Sequence, residues 1–276
     1  MPLGGGRLAR ILVSKATATV RERSALATLD KLVTRPAVEL RLEDAAALAH
    51  VLRGFEQEAA NAFDFHPVRF AVVDPRSNDT LYAAEVDARE FALLQPASRV
   101  DIRPHFAADE QPREALFCLA LSDAVGNSAV NEVPKAKIKH PQTNAKLYQI
   151  NESLDTDQWT VYKASGNDAA MLKVAQRSSF VLQLAKLCGC LGRRLPPVSF
   201  SVRRGLDGAK VARIEPSTSS SPPTGSASVY ELRFEEDATQ EERTVALAVT
   251  MLLALQKAYH ELFNIMIEFR NSSGPR

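Results

Sequence analysis

Three lysines at alternate positions, Lys135, Lys137 and Lys139, are the residues of this chain whose type and spacing best suit a chemical task. In a strand they share one face, while Ala136 and Ile138 take the other. Their ammonium groups then stand about 7 Å apart and can receive the phosphates of an anionic headgroup, each such contact at a charged membrane contributing about 1 kcal/mol. Lysine rows also protect strand edges and face solvent, so the pattern alone specifies a surface and not a ligand. Arg193, Arg194, Arg203 and Arg204 form two further basic pairs that would extend the patch if the fold brought them alongside.

Other chemistry is thinly supplied. The chain carries no nucleophile elbow, no phosphate-binding glycine loop, no dinucleotide fingerprint and no zinc-type histidine pair. His50, His66, His105, His140 and His260 are scattered singly, and Cys188 and Cys190 are two thiols without the further ligands of a metal site. No cofactor or metal is therefore expected, and the reading is non-enzymatic, with an enzyme of unrecognised motif ranked last. Carboxylate pairs such as Glu43-Asp44 sit where a helix starts, which explains them without acid-base chemistry. With 34 basic against 33 acidic residues, the balance excludes the electrostatic footprint of a nucleic-acid partner. Three cysteines, Cys118 included, do not make a disulfide framework.

Positioning these residues falls to a long apolar segment near the C-terminus. Thr239-Gln240-Glu241-Glu242 matches a capping box, and from Val245 to Leu255 only Thr250 is polar, so Val245, Leu247, Val249, Met251, Leu252 and Leu255 imply a helix enclosed on all sides. That run is too short for a bilayer, which needs roughly 20 residues, and no transmembrane span is expected. A helix over Thr239 to Leu262 therefore needs a wall around it. Strand patterns with turn signals supply one: 68–73 and 80–86 about Asp74-Pro75, 116–121 and 128–133, 159–163 and 170–174 about Gly166-Asn167, 200–203 and 210–214 about Gly205, and 229–234. The fold class expected is mainly β, an antiparallel barrel around the C-terminal helix.

The chain divides into three parts. Residues 1–23, with Arg7, Arg10 and Lys15 among aliphatic residues and no acid before Glu22, read either as a mitochondrial targeting segment or as a basic amphipathic tail. Residues 24–65 read as a helical extension, and 66–276 as the barrel domain, interrupted by a short helix at 180–188 and a Ser/Pro-rich loop at 217–228. No internal repeat is identified.

The order of the last third, Phe200-Ser201-Val202-Arg203 turning through Gly205-Leu206-Asp207-Gly208 to Lys210-Val211-Ala212-Arg213-Ile214, then Tyr230 to Phe234, Glu235-Glu236-Asp237 and the terminal helix, resembles the phospholipid scramblase and LURP-one-related proteins of the tubby-like superfamily over residues 200–260. The resemblance implies a twelve-stranded barrel closed around a hydrophobic helix, and phosphoinositide binding through basic residues on the barrel surface. It also makes Glu235, Glu236 and Asp237 the nearest match to a proposed calcium segment; without the oxygen-rich loop of an EF-hand, they read as an acidic turn stabilised by the helix dipole.

Two functions follow as expectations. The first is a barrel that binds anionic phospholipid headgroups at a membrane surface; the second is a structural or accessory subunit of a larger mitochondrial multiprotein assembly, with the protein subunits of a membrane complex as its partners. A mitochondrial location suits the N-terminal segment, and a cytoplasmic, peripheral-membrane location suits the tail reading.

Overall fold

The computed structural model describes residues 29–56, 68–86, 99–104, 115–122, 131–165, 169–177, 198–217 and 227–272. Twelve strands form one closed antiparallel barrel in which neighbours in the chain are neighbours in the wall. They are β1 (Ala37–Leu42), β2 (Val68–Val73), β3 (Thr80–Val86), β4 (Arg99–Pro104), β5 (Phe117–Leu121), β6 (Glu132–Lys139), β7 (Lys146–Ser153), β8 (Gln158–Lys163), β9 (Ala170–Arg177), β10 (Ser199–Arg204), β11 (Lys210–Pro216) and β12 (Ala227–Phe234). Pairing of β1 with β12 closes the ring. Helices α1 (Asp30–Val33), α2 (Ala45–Glu56), α3 (Gln240–Leu253) and α4 (His260–Ser272) accompany it, with a π-helical turn, Ala254–Ala258, joining the last two.

Period-two alternation builds the wall. Ala136 and Ile138 in β6, Trp159 and Val161 in β8, and Phe200 and Val202 in β10 face inward and are fully buried. The bore of a barrel grows with strand number, and about eight strands are already filled by their own side chains. Twelve leave room for a helix of about 10 Å diameter. Helix α3 occupies that room: every residue from Glu242 to Leu255 is buried, Val245, Leu247, Val249, Met251, Leu252 and Leu255 included. The capping box expected at its start is present, the Thr239 hydroxyl accepting from the Glu242 amide at 3.2 Å and the Glu242 carboxylate accepting from the Thr239 amide at 2.8 Å. Thr244 and Thr250 donate their hydroxyls back to Gln240 and Ala246 carbonyls, so neither brings an unsatisfied oxygen into the core.

Three expectations change. The stretch 24–65 is not helical throughout: Ala37–Leu42 is a barrel strand, paired with β12 on one side and β2 on the other. Val38, Leu40 and Leu42 point inward, and two flanking ladders outweigh the helical preference of its leucines. The single helix from Thr239 to Leu262 is two helices: α3 ends at Leu253, the π-helical turn follows, and Tyr259 (φ −123°, ψ 46°) leaves the helical region before α4 begins. Here the Tyr259 ring meets Phe70 edge-on at 5.3 Å and Lys257 lies over Trp159 at 5.3 Å; a π-turn of this kind is an established cause of a kink. Strands β4 and β7 complete the wall where no strand was expected. The segments 1–23 and 180–188, and residues 218–226 of the Ser/Pro-rich loop, lie outside the described residues.

A short repeat also emerges. Residues 72–82 and 138–148 share Pro, Asn, Leu and Tyr at equivalent positions, Pro75/Pro141, Asn78/Asn144, Leu81/Leu147 and Tyr82/Tyr148. Each forms the same hairpin: the first turn residue donates to the carbonyl five residues on (Asp74 to Asp79, His140 to Ala145), and the fifth donates back to the first. Asn78 and Asn144, at φ 61° and 55°, take the left-handed conformation that the fifth position requires. The β10/β11 hairpin uses the same bonds between Arg204 and Ala209, with Gly208 at φ 71°. In all three the register shifts just before the turn, leaving Val73 opposite Thr80, Lys139 opposite Lys146 and Arg203 opposite Lys210. The three hairpins are four strands apart in a ring of twelve, one third of the circumference each. All lie at the end where α3 enters the barrel, hereafter the upper rim.

Candidate functional site

Strand β6 places the lysines as the alternation requires, with Lys137 and Lys139 on the outer wall and Ala136 and Ile138 inside. Lys135 differs from its companions. It sits in a register shift between Pro134 and Ala136 and pairs with Glu152 at 3.3 Å. Lys137 lies between Ala120 of β5 and Gln149 of β7, and Lys139 between Cys118 and Lys146. Neither Lys137 nor Lys139 has an ion pair or hydrogen bond among the described residues. The Cys118 thiol beside Lys139 is pushed up to about 11, by burial first and against the pull of Arg99 and Lys139.

Lys146 is a fourth cation of this surface. It stands directly opposite Lys139, although like charges in that position destabilise a sheet. Its ammonium donates to Gln149 at 3.3 Å, Gln149 donates to Asn151 at 2.9 Å, and Asn151 donates to Glu132 at 3.1 Å. Glu132 also accepts from Thr160 and Tyr162. Glu132, at the far end of this chain of bonds, is thus occupied by neutral donors.

The arginines of the expected patch are not brought to the lysines. Arg193 and Arg194 lie outside the described residues. Arg203 faces outward on β10, four strands from β6, which is about 19 Å along the wall; its Nη1 donates to the Gly208 carbonyl at 3.1 Å. Arg204, one residue on, faces the other way. It grips both oxygens of Glu242 at 2.6 and 3.2 Å and also meets Asp207 at 3.1 Å and Asp237 at 3.8 Å. Hydrogen bonds and charge from Glu242 and Asp207 hold its guanidinium firmly protonated. Arg204 therefore serves the helix cap.

The rest of the upper mouth is similarly committed. Burial pushes the Glu242 carboxyl up, but bonds from Arg204 and Thr239 outweigh it and hold the group below its ordinary 4.5. For Glu241, burial is likewise outweighed by Lys163 at 2.7 Å and by the Tyr148 hydroxyl, which donates to the same oxygen. Arg243 is only 7% exposed and has no carboxylate partner among the described residues; it donates to the carbonyls of Leu32, Arg35, Glu235 and Ala238 and lies over the Phe234 ring at 4.9 Å. Of the acidic turn, the Glu235 carboxylate takes Lys210 and its carbonyl takes Arg243, while Asp237 faces Arg204. Among the described residues no group of three or more His, Cys, Asp or Glu is assembled to hold a metal, and no helix is long and apolar enough to cross a membrane.

Lys146 is the site residue that the sequence reading missed. The signal was present in the hairpin: with Asn144 at the left-handed position, Lys139 and Lys146 must face each other.

No family model matches this chain, and no curated protein matches it. Among solved structures, an X-ray structure of a protein from Arabidopsis thaliana is similar over 85% of this chain and 99% of that one, at 10% sequence identity and a TM-score of 0.40.

Proposed function

We propose that this barrel is a non-enzymatic module that binds the phosphates of anionic phospholipid headgroups at a membrane surface, with Lys137, Lys139 and Lys146 as the receiving cations. One observation carries the reading. On the walls formed by β1 to β4 and by β11 and β12, arginines meet carboxylates: Arg41 with Glu39, Arg69 with Glu85, Arg99 and Arg103 with Asp101, Arg213 with Glu215, and Arg233 with Glu231. At the β6/β7 hairpin Lys137, Lys139 and Lys146 gather with no ion pair among the described residues. Concentrated like charge is costly in the free protein and is relieved by an anion. The resemblance of residues 200–260 to tubby-like proteins supports the same class of ligand.

The test is co-sedimentation with phosphatidylcholine vesicles carrying cardiolipin or a phosphoinositide. Binding is expected to fall steeply with salt and to drop at least tenfold in the Lys137→Ala/Lys139→Ala/Lys146→Ala triple variant, each contact being worth about 1 kcal/mol. Salt-insensitive binding, or none, ends the proposal.

A second reading, a structural or accessory subunit of a larger mitochondrial multiprotein assembly, draws on the opposite end of the barrel. There a cavity of about 200 Å³ is lined by Leu48 and Leu52 of α2 and by Tyr259 and Leu262 beside the kink, and Leu154 is exposed at the β7/β8 turn. That reading requires a stable complex in native extracts, and migration as a free monomer counts against it.

A further inference from the structure

The lysine hairpin has an equivalent elsewhere in the ring. At the β10/β11 hairpin, built on the same turn and the same register shift, the positions matching Lys139 and Lys146 are Arg203 and Lys210, again two cations face to face. Lys173 of β9 stands opposite Arg203 on its other side, so three cations form one cross-strand row over β9, β10 and β11. Glu235 meets Lys210, Arg203 gives one donor to Gly208, and Lys173 is exposed with no partner among the described residues. Two doubly basic shoulders thus stand one third of the circumference apart, both at the upper rim.

Between Arg203 and Lys210 the turn projects Leu206, which is 90% exposed. A single exposed leucine is ordinary, but this one is held rigidly outward. A Cβ on Gly205 would lie 1.9 Å from the Ala170 carbonyl oxygen, so the backbone is clamped against β9; Asp207 caps the Ala209 amide at 2.9 Å, and Arg204 is anchored on Glu242. At this end the carboxylates of Asp30, Asp79 and Glu236 are exposed and have no ion pair among the described residues.

We infer that the barrel docks end-on against an anionic bilayer, upper rim down, with the Lys139/Lys146 and Arg203/Lys210 shoulders on headgroup phosphates and the Leu206 side chain in the acyl boundary. This rests on the lipid reading above and adds to it an orientation, a second headgroup contact and an apolar anchor. A plane laid across the rim touches both shoulders, whereas a plane laid along the β6 wall reaches only one. Basic side chains flanking an exposed leucine also match what binding at a bilayer interface requires, a charged contact with an apolar element beneath it.

The experiment uses the full chain and the same cardiolipin or phosphoinositide vesicles. In Leu206→Trp, a new indole joins the single native one, Trp159, which is fully buried and supplies a constant background. On adding vesicles the emission of the introduced indole is expected to shift to the blue and to be quenched by lipids brominated along the acyl chain. Leu206→Asp is expected to weaken binding about tenfold, Arg203→Ala and Lys139→Ala about fivefold each, and Glu236→Gln to strengthen it by removing a repelled charge. If wild-type protein binds but the emission of the Leu206→Trp variant stays fixed, and Leu206→Asp and Glu236→Gln leave affinity unchanged, the orientation is wrong and lipid binding stands. Failure of the wild-type chain to bind any of these vesicles overturns both.

Discussion

Arg203 and Arg204 are neighbours in the chain and opposites in the molecule. Arg204 turns into the mouth, where Glu242, Asp207 and Asp237 surround it and where it fastens the first turn of α3 to the wall. Arg203 turns outward beside Lys173 and Lys210, where cations meet cations. The same division runs through the whole upper rim: Arg243, Arg204 and Lys163 are committed to carbonyls and carboxylates of the core helix and its flanks, while Lys137, Lys139 and Lys173 are not. A cation's role in this fold is set by which side of the barrel wall it faces. Inner ones hold the helix; of the outer ones, the arginines of β1 to β4 and of β11 and β12 pair with carboxylates on the wall, and Lys137, Lys139 and Lys173 remain available to something from outside.

Substitutions test that division, and the largest effect belongs to the most enclosed cation. Arg243→Ala removes the guanidinium from four carbonyls: those of Leu32 and Glu235 keep backbone donors from Arg35 and Ala238, while those of Arg35 and Ala238 lose the donor they have. Orphaned buried acceptors cost about 1–3 kcal/mol each, and with two of them left bare the loss should reach about 3 kcal/mol, read as a shift in urea midpoint. Because two of those carbonyls belong to the segment entering β1, proteolysis ahead of Ala37 should accelerate in the same variant.

Gly205→Ala comes next. Its Cβ meets backbone, not the end of a flexible side chain, so the β10/β11 turn must move from β9 at a cost of about 1–3 kcal/mol. The thermal midpoint should fall.

Glu242→Gln keeps the shape of the cap and removes its charge. A loss of about 1–2 kcal/mol is expected near neutral pH. The Glu242 carboxyl sits below its ordinary 4.5 when folded, so its contribution is complete above that value and is lost as pH falls through the lower folded one. Wild-type stability should therefore decline in acid below about pH 4.5, and the decline should be shallower in Glu242→Gln. An unchanged acid limb would show that Arg204 does not depend on this carboxylate.

Much of the inner half of this division was legible in the sequence. The capping box at Thr239 and the unbroken apolar run after it required an enclosed helix, and an enclosed helix required a curved wall. What escaped was set by pairing instead of by local pattern. Residues 37–42 carry the alternation of a strand, but in a leucine-rich neighbourhood only the ladders to β2 and β12 decide the matter. The kink at Tyr259 depends on Phe70 and Trp159, both remote in sequence. Of the outer half, the lysine alternation in β6 could be read directly. Lys146 could be reached only through the turn at Asn144, and the Lys173-Arg203-Lys210 row could not, because its cross-strand neighbours follow from a register shift and a β9 pairing that no window of sequence displays.

The smallest expected effect on stability is the most informative about function. Lys137 and Lys139 stand without partners among the described residues, and Lys146 bonds one amide oxygen, so replacing all three with alanine removes no buried contact. Each such surface change should alter unfolding free energy by less than about 0.5 kcal/mol. Relief of the Lys139/Lys146 repulsion should make the net change slightly favourable. Chemical denaturation of this triple variant at low and high salt settles the point. If the lysines repel, wild-type protein gains stability as salt screens them, the variant gains less, and the two curves converge at high salt. A variant less stable than wild type under all conditions would mean that these lysines hold the wall together, placing them with Arg204 on the structural side of the division and removing the reason to look for an anion there.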